Sequence, residues 1–305
     1  MLRRFSGGIS LKDAKITKDS PIEVMPPPRR VYIPFMQHQG NPSKPIVQVG
    51  TLVKAGTKIA EESDQPSAPV HSSIAGKVIA ITLHPHPVIG TSLCCAIEST
   101  GQEDWEGHIK ETRDYDSLSR EQLLDNIRSA GIVGMGGGMF PTHVKLSAPP
   151  DKKIDALIIN GCESEPMLTA DYRLMLEYPV GIIEGARIFQ KILDAPTLVF
   201  AVENNKSRAA EVLKKEGATV VALRTKYPQG AERQLIKSVT KREVPKNGLP
   251  CDVGCIVSNV ATCYAGFQAV KFAKPLIERV ITVTGDGVQE PKNVLVRIGT
   301  PAVEV

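Results

Sequence analysis

Residues 131–138 hold five glycines in eight positions, and this stretch constrains the fold more than any other part of the chain. So many residues without a Cβ would weaken the interior of a helix or a strand, so the segment has to be a loop. Successive bare backbone amides form a concave, electropositive site for phosphate. Lys145 follows as a positive charge that can pair with such a group. A flexible surface turn is the simpler alternative, but a turn needs only one or two glycines.

The segments on either side of this glycine loop predict an α/β fold. Before the loop, Ser119 and the apolar stripe of Leu123, Leu124 and Ile127 indicate a capped amphipathic helix. After it, short apolar strands alternate with helices, which is typical of a parallel sheet covered by helices. Ligands of such sheets bind beyond the carboxyl ends of the strands. The predicted strands are 154–159, 198–202 and 219–223, and the predicted helices are 171–193, 207–216, 231–240 and 261–272.

Residues 29–100 have a different texture, with short strand-like runs divided by Gly and Pro, which predicts a small barrel or sandwich. The runs are 31–33, 46–49, 77–81 and 95–98. On residues 49–60 and 68–78 this segment resembles a lipoyl- or biotinyl-type barrel-sandwich hybrid. In true carriers of that type a lysine occupies the hairpin tip. Here the tip, residues 61–67, contains no lysine, so we interpret the module as structural and not as a carrier.

The remaining segments complete a five-part division of the chain. Residues 1–28 form a polar N-terminal extension that ends in a stiff, extended Met-Pro-Pro-Pro run. Residues 101–117 are polar and are interpreted as a linker, and residues 118–275 form the α/β domain. The final stretch, 276–305, has strand-like runs at 279–283 and 294–298 but too few residues for a core of its own. We expect it to be the start of a third, β-rich domain.

Charge and cysteine usage narrow the function. The net charge is +4, yet residues 1–60 carry ten Lys or Arg against three Asp or Glu, which can face an acidic partner, a membrane surface or solvent. Nucleic-acid binding is disfavoured because no aromatic residues are interleaved with the basic ones. No apolar run is long enough to span a membrane and no secretory signal is present, so a cytoplasmic protein is expected. The six cysteines include no C-x-x-C pair, so no metal site is predicted.

Three further motifs follow the glycine loop. Residues 160–166, Asn-Gly-Cys-Glu-Ser-Glu-Pro, place two carboxylates just after a predicted strand, where an α/β site would use them, although a solvated acidic turn is an equal alternative. Residues 227–232, Tyr-Pro-Gln-Gly-Ala-Glu, precede a helix and can meet a phosphate. Residues 258–262 also precede a helix, where Asn259 and Thr262 can act as helix caps or as phosphate donors.

In this order the four motifs resemble the flavin- and NADH-binding subunit of respiratory complex I and, more closely, the RnfC family of the Rnf electron-transport complex. The family pattern is a glycine loop ending in Gly-Phe-Pro-Thr, then Asn-Gly-x-Glu-x-Glu-Pro, Tyr-Pro-x-Gly-x-Glu and Asn-Val-x-Thr. The barrel-sandwich module and the Pro-Pro-Pro run are similar to the Rnf relative. The tail, from Val283, is similar to the start of the family's β-grasp (SLBB) domain. The resemblance therefore implies a Rossmann-like FMN/NADH-binding domain between a barrel-sandwich hybrid and a partial β-grasp domain.

The resemblance implies FMN as cofactor and NADH as substrate, and it assigns roles by motif. Glu163 and Glu165 are the implied catalytic pair, with Glu163 at the flavin ring edge and Glu165 near the nicotinamide. Phe140 is implied to stack on the adenine of NADH, which Gly230 and Glu232 help to seat. The other implied FMN ligands, in chain order, are Gly134, Gly136, Gly137, Gly138, Lys145, Asn160, Asn259 and Thr262.

The same resemblance implies an electron-input protein that oxidises NADH and passes electrons toward ferredoxin in an ion-translocating complex. Its partners would be the other subunits, and it would be peripheral on the inner face of the cell membrane. Two alternatives remain open: a cobalamin-reductase-type flavoprotein, and a docking scaffold of the same fold without catalysis.

The sequence also departs from the family pattern. Met139 stands where relatives have a bare glycine backbone, and Cys162 and Ser164 stand where Rnf relatives usually have Ala and Cys. The full-length family carries 4Fe-4S clusters on two C-x-x-C-x-x-C-x-x-x-C-P runs, and this chain has no such ligands.

Overall fold

The computed structural model describes residues 3–107, 109 and 112–305 and divides the chain into two compact units. The α/β unit comprises Met1–Ile22, Lys145–Phe267 and Thr282–Asn293, and the β-rich unit comprises Glu23–Val144, Gln268–Ile281 and Val294–Val305. Residues 1 and 2 of the predicted extension, and residues 108, 110 and 111 of the predicted linker, lie outside the described residues.

The elements follow one another in an order that keeps short strands at the beginning and mixed strands and helices thereafter. The strands are β1 (Ile22–Val24), β2 (Arg30–Pro34), β3 (Lys44–Pro45), β4 (Leu52–Val53), β5 (Lys58–Glu61), β6 (Val70–His71), β7 (Gly76–His86), β8 (Gly90–Ser99), β9 (Ala156–Gly161), β10 (Thr197–Glu203), β11 (Val220–Leu223), β12 (Cys255–Asn259), β13 (Glu278–Val283) and β14 (Lys292–Arg297). The α-helices are α1 (Arg120–Ser129), α2 (Thr142–Leu146), α3 (Ala170–Glu177), α4 (Pro179–Leu193), α5 (Ser207–Lys215), α6 (Glu232–Thr240) and α7 (Val260–Phe272). Single 3₁₀ turns occupy Asn204–Lys206, Pro250–Val253 and Ala302–Glu304.

The N-terminal part of the β-rich unit is a sandwich of two antiparallel sheets. One sheet has the strand order β2-β8-β7-β4 and the other the order β3-β5-β6. Alternating apolar residues of the strands point inward, because successive side chains of a strand lie on opposite faces. They form one core, composed of Val31, Ile33, Phe35, Val53, Ile59, Ala60, Val70, Ile74, Val78, Cys95 and Ile97. The predicted barrel or sandwich is confirmed.

The α/β unit is built on a parallel sheet with the strand order β11-β10-β9-β12. Its strands are continuous apolar runs, as expected for a parallel sheet that is buried on both faces. In the central pairing, Asn160 of β9 lies opposite Ala201 of β10 and Asn259 of β12. Two asparagines that the sequence marked as site residues are therefore neighbours at the carboxyl edge of the sheet. The predicted α/β class is confirmed.

Several predicted boundaries are confirmed and two are wrong. Ser119 caps α1 with a capping box formed with Gln122, as the sequence indicated. The predicted helix over 171–193 is instead two helices, because the chain leaves helical geometry at Tyr178 and Pro179 begins a new helix. The predicted strand 46–49 is irregular backbone that turns at Gly50, whose φ of +96° ends any extended run.

The C-terminal segment contains β13 and β14, which join β1 in a sheet of order β1-β14-β13. Its residues are divided between the two units along the chain, with Thr282–Asn293 in the α/β unit and the remainder in the β-rich unit. Within the β-rich unit, Met25 N donates to Leu295 O at 3.1 Å. Among the described residues, no helix has the length and apolarity that crossing a membrane requires.

Candidate functional site

The glycine loop belongs to the β-rich unit and is closed at its base by backbone hydrogen bonds. Gly134 N donates to Phe140 O at 2.9 Å, and Thr142 N donates to Ile132 O at 2.9 Å. Between these bonds the backbone is exposed from Gly136 to Gly138, so its amides face solvent. A loop that is fixed at its base and bare at its tip presents backbone donors without ordering a long flexible segment.

Two of these glycines show that the tip has open space beside the backbone. Gly137 has a φ of +100°, which a residue with a Cβ rarely adopts. Gly138 has no such φ, so its backbone alone does not require glycine. A Cβ at either position would meet no atom of the described residues within 4 Å beyond its chain neighbours. The loop therefore has room for a ligand directly against its backbone, and this cradle fits the phosphate or ring of FMN.

Met139, the departure from the family pattern, occupies a backbone position that favours glycine. Its φ is +44°, in the left-handed region that costs a residue with a Cβ about 1–2 kcal/mol. Its carbonyl oxygen accepts a hydrogen bond from Gln39 N at 3.0 Å, and Arg279 Nη2 donates to Met135 O at 2.5 Å. These two bonds hold the loop on both sides of its bare tip. Phe140, which follows, is half-buried.

The acidic turn follows β9 in the α/β unit, and it separates the two glutamates that the sequence paired. Glu163 is buried and adopts a φ of +47°, whereas Glu165 is exposed. The Glu163 carboxylate accepts a hydrogen bond from Asp171 N at 2.8 Å and lies 3.8 Å from Lys15 Nζ. Of the two, only Glu165 presents its carboxylate to solvent in the described structure.

Burial and charge shift the protonation of this turn. Burial, together with the nearby carboxylate of Asp171, raises the pKa of Glu163 to about 7, although Lys15 and Lys206 oppose the shift. Burial also lowers the pKa of Lys15, which the Glu163 carboxylate opposes. Glu203, which is paired with Lys206 at 3.2 Å, has its pKa raised by burial as well. The sequence analysis missed Lys15 and Lys206, because nothing in a lone lysine signals a partner that is distant along the chain.

Asn160 and Asn259 organise the carboxyl edge of the sheet. Asn160 Nδ2 donates to Gly230 O at 2.9 Å, and its Oδ1 accepts from Cys162 N at 3.0 Å. Asn259 Oδ1 accepts from Ala261 N at 2.9 Å and more weakly from Thr262 N at 3.4 Å, which caps α7. These bonds bring four predicted site residues into one edge of the α/β unit: Asn160, Gly230, Asn259 and Thr262.

Neighbouring bonds extend this edge. Asn259 Nδ2 donates to Asp171 Oδ2 at 2.5 Å, and Gly230 N donates to Ser164 Oγ at 2.9 Å. The latter bond gives Ser164, another departure from the family pattern, a role in holding Gly230 against the acidic turn.

Two predicted site residues form an ion pair. Lys145 Nζ lies 2.7 Å from Glu232 Oε1, and both side chains are about one-third exposed. The sequence assigned Lys145 to FMN and Glu232 to NADH, so the structure brings together a cation and an anion assigned to different molecules. An exposed pair of this kind contributes little to stability and can exchange partners when an anionic ligand arrives.

The cysteines do not contribute reactive thiols to this edge. All six are free, and Cys251 is the one that is not fully buried. Burial raises the pKa of Cys162 well above its ordinary value, which keeps the thiol protonated. Within the described ranges, no group of three or more His, Cys, Asp or Glu side chains is arranged to hold a metal ion.

Comparison with known proteins matches two family models to the chain. The RnfC barrel sandwich hybrid domain covers residues 3–102, and the Nuo51 FMN-binding domain covers residues 127–266. The second match begins within α1 and includes the glycine loop, the acidic turn and the start of α7. The fold and the two models together define a protein in which a barrel-sandwich hybrid precedes an FMN-binding domain of the complex I type.

Whole-chain relatives give the family. An RnfC-type protein of the proton-translocating ferredoxin:NAD+ oxidoreductase complex of Clostridium ljungdahlii is 49% identical over 98% of this chain and 67% of its own length. Its counterpart in the Na+-translocating ferredoxin:NAD+ oxidoreductase complex of Acetobacterium woodii is 39% identical over 97% of this chain and 68% of its own length. The chain belongs to the RnfC family of Rnf-complex subunits, as the sequence motifs indicated. An NAD+-reducing NiFe hydrogenase is a solved structure with partial similarity, at a TM-score of 0.48 and 24% identity over 58% of this chain and 36% of its own.

Proposed function

We propose that this chain binds FMN and oxidises NADH as the electron-input subunit of an Rnf-type complex. The observation that carries the proposal is the glycine loop, whose exposed backbone at Gly136–Gly138 has open space beside it and lies inside the matched FMN-binding domain. The hydrogen-bonded edge around Asn160 and Asn259 supports it, because ligands of parallel sheets bind beyond the carboxyl ends of the strands.

In this proposal the chain's own residues bind and orient the two nucleotides. The glycine-loop amides donate hydrogen bonds to the cofactor, and Lys145 exchanges Glu232 for a phosphate. The N-terminus of α7, capped by Asn259, offers further amides to a phosphate. Glu165, whose carboxylate is exposed, faces the nicotinamide, and Phe140 stacks on the adenine. When bound, FMN supplies the chemistry that accepts a hydride and releases single electrons.

The wider context is also part of the proposal. The relatives are named as subunits of ion-translocating complexes, which supports partner subunits, an electron path toward ferredoxin and a peripheral position on the inner face of the membrane. The domain boundaries inferred from sequence, at residues 28, 100, 117 and 275, belong to the same proposal. The coupling ion differs between the two relatives, so this proposal names none.

Flavin retention tests the first half of the proposal. The purified chain is mixed with excess FMN, passed through a desalting column and examined for visible flavin absorbance. We expect a flavin that co-elutes with the chain in near-equimolar amount and is released on denaturation. A chain that elutes colourless at every FMN concentration would instead favour the docking-scaffold alternative.

A further inference from the structure

The N-terminal segment Asp13–Thr17 runs along the acidic turn of the α/β unit and bonds to it repeatedly. Ala14 N donates to Pro166 O at 3.1 Å, and Thr17 Oγ1 lies 2.5 Å from Thr169 Oγ1. Between them, Lys15 extends its side chain underneath the turn. A segment that composition alone marks as a polar extension is therefore packed against a predicted site element.

Lys15 saturates its hydrogen-bonding capacity with three carbonyl oxygens of the turn. Its Nζ donates to Glu163 O at 3.1 Å, to Glu165 O at 2.8 Å and to Leu168 O at 2.5 Å. An ammonium has three N–H donors, so all three are used on backbone atoms of one turn. The Lys15 side chain is 6% exposed, so water cannot readily replace these bonds.

This arrangement fixes a conformation that the turn would not hold by itself. The turn leaves β9, places Glu163 in the left-handed region and contains few backbone–backbone bonds of its own. Strained backbone of this kind persists only where surrounding groups determine it. Lys206 Nζ adds a second contact to Glu163 O at 3.3 Å, but its main partners are Glu203 and Asn205. Lys15 is the cation that spans the turn from Glu163 to Leu168.

We propose that Lys15 is a positioning residue of the nucleotide site, which holds the backbone of residues 163–168 so that Glu165 is presented outward. The inference rests on the proposed function for its consequence, but its structural part concerns only this chain. Lys15 touches neither nucleotide in this account; it acts through the carbonyl oxygens it binds. The turn would be pre-organised before NADH arrives, so less ordering would be required on binding.

The test uses the full chain and two readouts on the variant Lys15→Met, which keeps the length of the side chain and removes its donors. Amide hydrogen exchange of residues 163–169 should rise about tenfold or more, since charge-assisted hydrogen bonds to the turn are lost. The KM for NADH of the FMN-loaded chain should rise by about tenfold while kcat changes less than about twofold, because fewer molecules hold the competent turn. Lys18→Met is the matched control, because Lys18 is exposed and close in sequence, and it should behave as wild type in both readouts.

The outcomes separate this inference from the proposed function. Unchanged exchange in Lys15→Met would overturn the clamp, whatever the activity. Faster exchange with an unchanged KM would make Lys15 merely structural and overturn its positioning role. Faster exchange in a chain whose wild type does not oxidise NADH would refute the proposed function and, with it, the positioning role, while leaving the clamp. If Lys15→Met does not fold, Lys15→Gln, which keeps two N–H donors on a shorter side chain, should shift both readouts in the same direction by less, and wild-type exchange there would overturn the inference.

Discussion

At the scale of single residues, the side chain that Gly138 lacks is the most direct pointer to a ligand. Its backbone conformation does not require glycine, and a Cβ would enter open space, so the fold itself gives no reason for the missing side chain. Met139, by contrast, has a long side chain where its φ of +44° favours glycine. The Cβ of Met139 therefore strains the backbone at a position where relatives have glycine, while the bare amides before it remain open to a ligand.

Replacing Gly138 by valine should weaken FMN binding about tenfold or more, because the new side chain would occupy the space that the cofactor needs. The free energy of unfolding should change little, since the added atoms meet no described residue. Isothermal titration with FMN measures the affinity. Gly287→Val is the matched control, because Gly287 also has no positive φ and open space around its Cβ position, and it should bind FMN as the wild type does. Equal affinities of both variants would refute the loop assignment.

Glu163 should make stability depend on pH. Its folded pKa of about 7 lies above its ordinary value of 4.5, so the stability it contributes is complete below about pH 4.5 and is lost as pH rises through about 7. Urea unfolding of Glu163→Gln between pH 5 and pH 8 should therefore show a flatter pH dependence than the wild type. Glu165→Gln, a change in the exposed carboxylate of the same turn, serves as control. Parallel curves for wild type and Glu163→Gln would contradict the buried charge cluster.

At the scale of elements, the sequence predicted most strands and helices but not how they are joined. Alternating apolar runs and helical stripes identified β9, β10, β11 and α5–α7 within a few residues, because burial on a sheet or helix face leaves a periodic pattern. The break at Tyr178 was missed although Pro179 signals it, since a proline at the first helical position is also compatible with a new start. The run 46–49 alternates like a strand, but Gly50 turns the chain.

The cap of α7 provides the test at this scale. Asn259→Ala should lower the free energy of unfolding by about 1 kcal/mol, because the amides of Ala261 and Thr262 lose their acceptor. Asn259→Ser keeps a side-chain oxygen and should recover most of that loss. Urea unfolding measures both. If the alanine and serine variants were equally destabilised, the bond to Asp171 rather than the cap would be the main contribution of Asn259.

At the scale of the whole molecule, motif order carried the family assignment and local chemistry carried the site. The ordered motifs resemble one family, and relatives that align along nearly the whole chain confirm it. The contacts of Lys15 could not be predicted, because they join residues about 150 positions apart without any periodic signal. The pairing of Lys145 with Glu232 was hidden for the same reason, since α2 and α6 are distant in sequence.

Electron input from NADH is the central claim, and an anaerobic titration tests it most directly. The FMN-loaded chain is titrated with NADH in a sealed cuvette while the visible absorbance of the flavin is recorded. We predict that the flavin band bleaches and that the end point falls at one NADH per bound flavin, because each NADH delivers the two electrons that a flavin accepts. A bound flavin that stays oxidised in excess NADH would contradict the account.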